Sequence, residues 1–552
     1  MGLSLLCLLF VSIYAQQEKD LVTNLPGLQF EAKFKTYSGY VAANQNKTWQ
    51  MHYILTESKA NPDTDPVLVW FSGGPGCSSF AALFQEHGPF FINFDGKTLY
   101  ENKYSWNAKA NFLFFESPIG VGFSYDRHHD SYTKANDDQT AWQNFYALKD
   151  FFETAQPKYK DRTFFLSGES YAGIYVPTLS KLVVEHINKG QFPNKNFQGA
   201  AIGNGFMNVK YLLNSLVLWS AYHGRVSVDD WDYIKANCAG GQKDMDKADF
   251  TVHMVGKPNG IDYTGANTTC GQKLTPMINL PKGQVPYNYY QDCYDAALIE
   301  TDANNPMPAD TGFHPEFEGT ADLAANTATL INYISTDNQW GYPCWSEAAI
   351  ALYLNRRDVQ DAVHIPQAWR NQATGKFRWT DCNSKIYDSY RLTYDNTNIF
   401  FDYVIKYVKT PNFRFLIYSG DTDTVCNYLG DEWHMRDVAK AANLKSSPRK
   451  PWHFSRNDQV AGYNQRYSGK GGSGVDITLD VMVVKGAGHM VPSDRPGPAV
   501  QMITNFMFPG QDGPDYSSKA NVNPNPPLSR FLGGSAAISL SSVIAVILWE
   551  LY

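Results

Sequence analysis

The sequence has few cysteines, and none of them is arranged as a metal-binding motif. There are 8 in 552 residues, no two are spaced as C-x-x-C, and no histidine stands at zinc-finger distance from them. Structural zinc sites are built from such closely spaced Cys and His ligands. We therefore expect no metal site, and no other motif calls for a cofactor.

The chain also lacks an excess of positive charge, internal repeats and long low-complexity segments. Its formal net charge is -7, which argues against a nucleic-acid partner because such proteins normally present a basic surface. Charged residues at 18% and aromatic residues at 14% are typical of a globular protein. The length indicates one large domain with insertions, or two domains.

The N-terminus lacks basic residues, but residues 1–15 are apolar and end in a small residue, as a secretory signal peptide does. Cleavage is expected after Ala15. Asn46 and Asn267 stand in N-x-S/T glycosylation motifs, which agrees with passage through the secretory pathway. Removing Cys7 with the signal leaves an odd number of cysteines, so we expect at most three disulfides and one free thiol. The expected location is lysosomal or extracellular.

The C-terminal segment, 516–552, combines a Pro/Asn/Gly-rich linker with an apolar tail. The apolar run is shorter than the roughly 20 residues that a membrane-spanning helix needs. Small residues at 533–535 followed by such a tail are typical of a lipid-anchor signal, although the polar spacer is missing. An anchor signal, a weakly membrane-associated tail and a buried tail stay open.

Residues 66–71 form an unbroken apolar run, typical of a strand buried on both faces, and similar runs of mainly apolar residues alternate with segments of helical character, such as the one near 134–155. This alternation predicts an α/β fold with a mostly parallel central sheet. The runs lie at 66–71, 111–115, 163–166, 197–203, 413–418 and 479–484. Two antiparallel strands are expected between 25 and 60. From about 208 to 350 the pattern changes to scattered helical segments with four cysteines, which predicts an inserted helical cap that carries disulfides. The core is then split into 16–207 and 351–515.

The run at 163–166 leads through Gly168-Glu169-Ser170-Tyr171-Ala172 into a segment that can be helical. A serine on a sharp strand-to-helix turn between small residues is the nucleophile elbow of the α/β-hydrolase fold. An ordinary strand-to-helix turn is the alternative interpretation. The nucleophile interpretation of Ser170 requires a base, an acid and an oxyanion hole elsewhere in the chain.

The base and the acid have candidates directly after the two last buried strands. In this fold the triad follows the chain order Ser, Asp or Glu, His. Asp421 and Asp423 follow the strand at 413–418, and His489 lies in a Gly-rich loop after the strand at 479–484. Topology does not separate the two aspartates, since either can instead cap the following turn.

An oxyanion hole needs backbone N–H groups that side chains do not obstruct. One donor is expected from Tyr171, the residue after the nucleophile, and the other from the Gly-rich loop 72–79 after the strand at 66–71. A phosphate-binding loop would need a Lys-Ser/Thr pair after the glycines, and none follows.

With these motifs in place, the chain resembles the serine carboxypeptidases of the lysosomal cathepsin A and yeast carboxypeptidase Y type from about residue 25 to 508. The matching segments are Gly73–Ser79, Glu116–Tyr125, Gly168–Gly173, Tyr353–Asn355 with Val359–Gln360, and Gly488–Pro492. The resemblance implies Ser170 as nucleophile, Asp423 rather than Asp421 as the acid, and His489 as base. It also implies that Gly74 and Tyr171 supply the oxyanion N–H groups.

The resemblance further implies a site for the free carboxylate of a peptide substrate, formed by Ser72, Gly73, Glu86 and Glu169. Ser72 stands where the family has asparagine, and its shorter side chain reaches less far toward the ligand. Two close carboxyls do not both ionise readily, so at least one is expected to be protonated and to donate a hydrogen bond to the substrate. This predicts activity that is greatest at acidic pH.

The family pattern also implies the disulfide pairing and leaves Cys426 as the free thiol, close to the substrate site. The implied pairs are Cys77–Cys382, Cys238–Cys270 and Cys293–Cys344.

The implied activity is release of C-terminal residues from peptides or proteins through an acyl-enzyme. Two alternatives remain: acyl transfer or esterase chemistry on the same fold, and a stabilising partner of lysosomal proteins with little catalysis. The expected partner is a peptide or protein substrate. A homodimer and membrane attachment through the tail stay open.

Overall fold

A computed structural model describes residues 19–93, 95–128, 135–292, 344–370, 378–454, 459–510 and 513–517. Within these ranges, no helix has both the length and the apolar character needed to cross a membrane. The predicted signal peptide, the C-terminal tail and much of the predicted insertion lie outside the described residues.

The strands and helices of the described residues are numbered here in chain order. The strands are β1 Leu21–Val22, β2 Thr36–Ala42, β3 Trp49–Thr56, β4 Val67–Phe71, β5 Phe90–Ile92, β6 Leu99–Glu101, β7 Asn111–Phe115, β8 Tyr125–Asp126, β9 Phe164–Ser170, β10 Phe197–Gly205, β11 Met254–Gly256, β12 Tyr263–Gly265, β13 Phe413–Gly420, β14 Lys445–Ser446, β15 Lys450–Phe454, β16 Gln459–Lys470 and β17 Asp476–Val484. The helices are α1 Ser79–Gln85, α2 Asp137–Asp150, α3 Ala172–Asn188, α4 Val209–Tyr222, α5 Val228–Asn237, α6 Thr269–Ile278, α7 Trp345–Leu354, α8 Arg357–Ala362, α9 Gln367–Arg370, α10 Ser384–Ser389, α11 Asn398–Tyr407, α12 Tyr428–Ala441, α13 Val491–Asp494 and α14 Pro496–Met507.

The central sheet has a parallel middle and antiparallel edges. Its parallel strands lie in the order β7-β4-β9-β10-β13-β17. The N-terminal strands β1 to β3 pair antiparallel beside β7, and β16 pairs antiparallel with β17 at the other side. The predicted α/β-hydrolase architecture with a mostly parallel sheet is therefore confirmed.

The side chains of β4 show why these apolar runs form central strands. Val67, Val69 and Phe71 pack into one hydrophobic cluster, whereas Leu68 and Trp70 pack into a second one on the other face. Successive side chains of a strand point to opposite faces, so a strand covered on both faces needs an apolar residue at every position.

The described part of the predicted insertion has a small core of its own. It comprises α4 to α6 and a hairpin of β11 with β12 that the sequence pattern did not indicate. Trp231, Ile234 and Phe250 pack together there, and the disulfide Cys238–Cys270 joins α5 to α6. Trp433 of α12 belongs to the same cluster, so the insertion packs directly on the main domain.

Candidate active site

A cavity of about 1200 Å³ opens at the carboxyl ends of the parallel strands. This is the edge at which open α/β sheets bind their ligands. Residues from the loop after β4, the turn after β9 and the loop after β17 line it, including Gly74, Ser170 and His489. Residues that are far apart in the sequence therefore meet because parallel strands end at one edge of the sheet.

Ser170 ends β9 in a backbone conformation that non-glycine residues rarely adopt. Its φ is 60°, and α3 begins two residues later at Ala172. The backbone N–H of Phe206 donates to Ser170 O at 2.8 Å and holds the turn. Such strain persists only where the surroundings enforce it, and here it directs a serine hydroxyl into the cavity.

His489 is paired with Asp423. His489 Nδ1 lies 2.8 Å from Asp423 Oδ2, and the side chains are 3% and 0% exposed. Because a carboxylate can only accept, this geometry places the imidazole proton on Nδ1 and leaves Nε2 as the basic nitrogen. Backbone N–H of His489 also donates to Tyr287 O at 2.6 Å, which fixes the loop against the insertion.

Asp423 is held by further donors, one of which the sequence reasoning missed. Backbone N–H groups of Val425 and Cys426 donate to its carboxylate at 2.8 and 3.0 Å. Asn204 Nδ2 donates to Asp423 Oδ2 at 2.9 Å from the end of β10. A polar residue between two glycines after an apolar run was the only sequence signal for Asn204.

Asp421 has a different environment. Its Oδ1 accepts a hydrogen bond from the backbone N–H of Gly486 at 2.7 Å, so it stabilises the loop that precedes His489. The structure therefore separates the two aspartates that topology left open: Asp423 faces the imidazole and Asp421 faces the backbone.

Ser170 and His489 line the same cavity, but among the described residues no hydrogen bond joins Ser170 Oγ to His489 Nε2. Catalytic hydrogen bonds in ligand-free enzymes are often long and shorten when substrate binds.

The glycine loop approaches the elbow so closely that a side chain would not fit. A Cβ at Gly73 would lie 2.5 Å from Tyr171 N and 2.7 Å from Ser170 Cβ. Gly74 follows with a φ of +106°, which only glycine adopts readily. Gly74, Ser170 and Tyr171 line the same cavity, so the glycine loop and the turn at Ser170 form one wall of it.

The glycine loop is tied to the segment before α10. The disulfide Cys77–Cys382 joins them, and the backbone N–H of Ser78 donates to Asp381 O at 2.7 Å. The third expected pair is Cys293–Cys344. Cys344 is disulfide-bonded, and Cys293 lies outside the described residues.

Cys426 is a free, buried thiol that lines the cavity. Burial, followed by the charges of Asp423 and Asp431, raises the pKa of this thiol well above its usual range. A protonated thiol is a poor nucleophile, so Cys426 does not compete with Ser170 for a substrate carbonyl.

Glu86 and Glu169 meet in the cavity wall. Their carboxyls share a hydrogen bond. Glu86 is 6% exposed and Glu169 is 5% exposed. In each residue Oε2 is buried and has no hydrogen-bond partner. Burial first, and then the charge of Asp381, raises the pKa of Glu86 to about 8. Burial and the charge of Glu86 hold the pKa of Glu169 well above its usual range. The pair therefore retains a proton and has two oxygens available for a ligand.

Ser72 lines the same cavity as this pair, and a tryptophan orients its hydroxyl. Trp70 Nε1 donates to Ser72 Oγ at 3.1 Å, and the backbone N–H of Ser72 donates to Ser79 Oγ at 3.0 Å. A hydroxyl has one proton to donate. Because the indole N–H already occupies a lone pair of Oγ, that proton is available for a ligand carboxylate in the cavity.

Asp494 is a second residue that the sequence reasoning missed. Its Oδ2 accepts from Gly488 N at 2.7 Å and from Asn288 Nδ2 at 3.0 Å, so it fixes the loop that carries His489. Burial raises the pKa of Asp494 to about 6.

The predicted glycosylation acceptors are accessible. Asn46 lies in the turn between β2 and β3, Asn267 lies just before α6, and both side chains are exposed.

Comparison with known proteins shows the family of this chain. The family model for serine carboxypeptidases matches residues 26–508. A serine carboxypeptidase from Caenorhabditis elegans is 53% identical, with 98% of this chain and 97% of the relative covered. The lysosomal protective protein of Mus musculus is 34% identical, with 89% and 94% covered. A solved structure of a prohormone-processing carboxypeptidase from Saccharomyces cerevisiae shares the fold, with a TM-score of 0.58 at 18% identity and 89% and 96% coverage. The chain belongs to the serine carboxypeptidase family.

Proposed function

We propose that Ser170, His489 and Asp423 form the catalytic triad of this serine carboxypeptidase. The observation that carries the proposal is the Asp423–His489 pair, at 2.8 Å, in the same cavity as a serine with a φ of 60°. No single one of these features would suffice, since strained serines and buried histidines also occur in structural roles.

In the proposed reaction, Ser170 Oγ attacks the carbonyl carbon of the last peptide bond while His489 Nε2 takes the hydroxyl proton. The backbone N–H groups of Gly74 and Tyr171 stabilise the oxyanion. His489 then gives its proton to the leaving amine, the C–N bond breaks, and an acyl-enzyme remains. Water attacks this ester with His489 again as base, and the product acid and free Ser170 result.

The carboxylate site explains why the last peptide bond is chosen. The Glu86–Glu169 pair and the Ser72 hydroxyl can each donate a hydrogen bond to the terminal carboxylate of a substrate, beside the backbone of Gly73. Hydrogen bonds to a charged group are roughly twice as strong as neutral ones. A substrate that lacks this carboxylate leaves these buried donors unpaired.

The first test compares a blocked dipeptide acid with the same dipeptide amide. We expect kcat/KM to be at least about tenfold lower for the amide, because hydrogen bonds to a charged group contribute about 1.5–3 kcal/mol. Hydrolysis rates at acidic pH measure the ratio. Equal rates for both substrates would support a general esterase or amidase and contradict the carboxylate site.

The pH profile is the second test. The pKa of the Glu86–Glu169 pair is raised, so its donor proton is present at acidic pH and is lost as pH rises through the raised pKa, about 8 for Glu86. We expect kcat/KM for free-acid substrates to be highest at acidic pH and to fall as the pH rises through the raised pKa of the pair. Glu169→Gln keeps a hydrogen-bond donor that does not titrate. The decline of kcat/KM in this variant should therefore shift to higher pH.

Exposed Glu31 provides the matched control, since Glu31→Gln should leave the profile unchanged. A wild-type profile that peaks above about pH 8, or a Glu169→Gln profile identical to that of the wild type, contradicts this role of the pair.

We also propose that the protein works in an acidic compartment of the secretory pathway. The apolar N-terminus, the exposed Asn46 and Asn267, and the likeness to a protein named for the lysosome support this location. The proposed domain division keeps a core of 16–207 and 351–515 around an inserted cap at 208–350, supported by the separate cluster around Trp231.

A further inference from the structure

The side chain of the leaving residue has a definable place if the proposed function holds. The scissile carbonyl lies at Ser170 and the terminal carboxylate lies at Glu86 and Glu169, so the last residue of the substrate lies between them. The cavity wall includes Asp381, Cys382 and Ser384, from the segment that the disulfide Cys77–Cys382 ties to the glycine loop.

Asp381 is the charged residue of that segment. It lines the cavity, and its charge acts on Glu86. Its backbone O accepts from Ser78 N at 2.7 Å, so its position relative to the glycine loop is fixed. Its Oδ1 is buried and has no hydrogen-bond partner, and no ion pair involves Asp381 in the described part of the chain.

A second carboxyl lies on the same side. Glu347 of α7 also lines the cavity, and its charge acts on Asp381 and on Tyr287. Burial first, and then Glu347, raises the pKa of Asp381 to about 7. A buried carboxyl with a raised pKa is one that lacks a cation, and a bound ammonium or guanidinium would favour its charged form.

Among the described residues, three cations line the cavity, all of them from the insertion, and two of them have other partners. Arg225 donates to the carbonyls of Pro276 and Met277 at the end of α6, and Lys257 lies 3.5 Å from Asp262. Lys282, the remaining one, is exposed. None of these three contributes to the pKa of Asp381.

Helices α4 and α6 contribute an apolar part of the cavity wall. Leu212, Leu216 and Ile278 line it. This wall fits an apolar residue on the acyl side of the scissile bond, which makes phenylalanine a suitable constant residue in test substrates.

We infer that the subsite for the leaving residue selects lysine or arginine, with the Asp381 carboxylate as the specificity-determining group and Glu347 as a second negative charge beside it. Both carboxyls line the same cavity as Ser170, Glu86 and Glu169, and the charge of Asp381 acts on Glu86, so a cation carried by the last residue would meet them in this cavity. The inference rests on the proposed function, because it uses the position of the terminal carboxylate at Glu86 and Glu169.

The experiment measures kcat/KM of the full chain on blocked Phe-Lys, Phe-Leu and Phe-Glu. We expect Phe-Lys to exceed Phe-Leu by roughly tenfold to a hundredfold, since a buried charge-assisted hydrogen bond contributes on that scale. Phe-Glu should be the poorest of the three, because like charges repel. Asp381→Asn should remove most of the preference for Phe-Lys, so that the ratio of kcat/KM for Phe-Lys to kcat/KM for Phe-Leu falls by at least about tenfold, because the amide carries no charge to pair with the lysine.

Asp388→Asn is the control, an exposed carboxyl of α10 in the same segment that does not line the cavity, and it should keep the preference. Two results overturn the inference: wild-type enzyme that cleaves Phe-Leu as fast as Phe-Lys, or Asp381→Asn that lowers both substrates in parallel. Failure of the proposed function is distinguishable from these two results. In that case no free-acid dipeptide would be cleaved faster than its amide.

Discussion

Replacing Ser170 with alanine is expected to lower kcat on a blocked dipeptide acid by about a millionfold, the scale at which loss of a triad nucleophile acts. The variant keeps the oxyanion N–H groups and the carboxylate site, so it should still bind the substrate and retain a small rate above that of water. Initial rates and calorimetric binding of a free-acid peptide measure the two effects separately. The backbone at this position has a φ of 60°, and alanine is no more strained there than serine. We therefore expect the variant to fold.

Covalent labelling tests directly whether Ser170 is the nucleophile. A fluorophosphonate should modify wild-type enzyme at Ser170 and should not label Ser170→Ala. Ser384→Ala is the control, because Ser384 also lines the cavity but lies at the start of α10. It should keep both labelling and activity. Modification of a different serine, or activity that survives in Ser170→Ala, contradicts the proposed triad.

Replacing Asp423 with asparagine is expected to lower kcat by about ten-thousandfold, because the amide no longer stabilises the imidazolium and favours the wrong tautomer of the histidine. His489 Nδ1, 2.8 Å from the carboxylate, would then face a group that also donates. The loss should fall on kcat more than on KM, since the hydrogen bonds of Asp423 go to His489, Asn204 and two backbone N–H groups and not to the carboxylate site. Steady-state kinetics of the variant measure this split.

Asp421→Asn is a matched control that differs by two positions in the sequence. Asp421 Oδ1 accepts a hydrogen bond from the backbone N–H of Gly486, and asparagine Oδ1 can accept it as well. We expect a change in kcat of less than about tenfold, in line with the roughly 1 kcal/mol of an ordinary hydrogen bond. Similar large losses in both variants would show that the region between β13 and α12 supports the site as a whole and that Asp423 has no separate role.

The sequence determined the parts of this protein that depend on local pattern. Every residue of β4 and β7 is buried, which agrees with the apolar sequences 67–71 and 112–115. The elbow at Ser170 and the position of His489 after β17 also follow from local signals, because strand ends, small residues and helix starts can be recognised within about ten residues. The resemblance to a family added the choice of Asp423 and the identity of the carboxylate site.

The tertiary structure alone decided which of these residues touch. Asn204 reaches Asp423 from a different strand, Asp494 fixes the loop of His489, and Trp70 orients Ser72. Asp381, which follows no recognisable motif, enters the cavity because of a disulfide and one backbone hydrogen bond. Such contacts join distant segments, and their geometry depends on how whole side chains pack, which periodicity and local propensity do not encode.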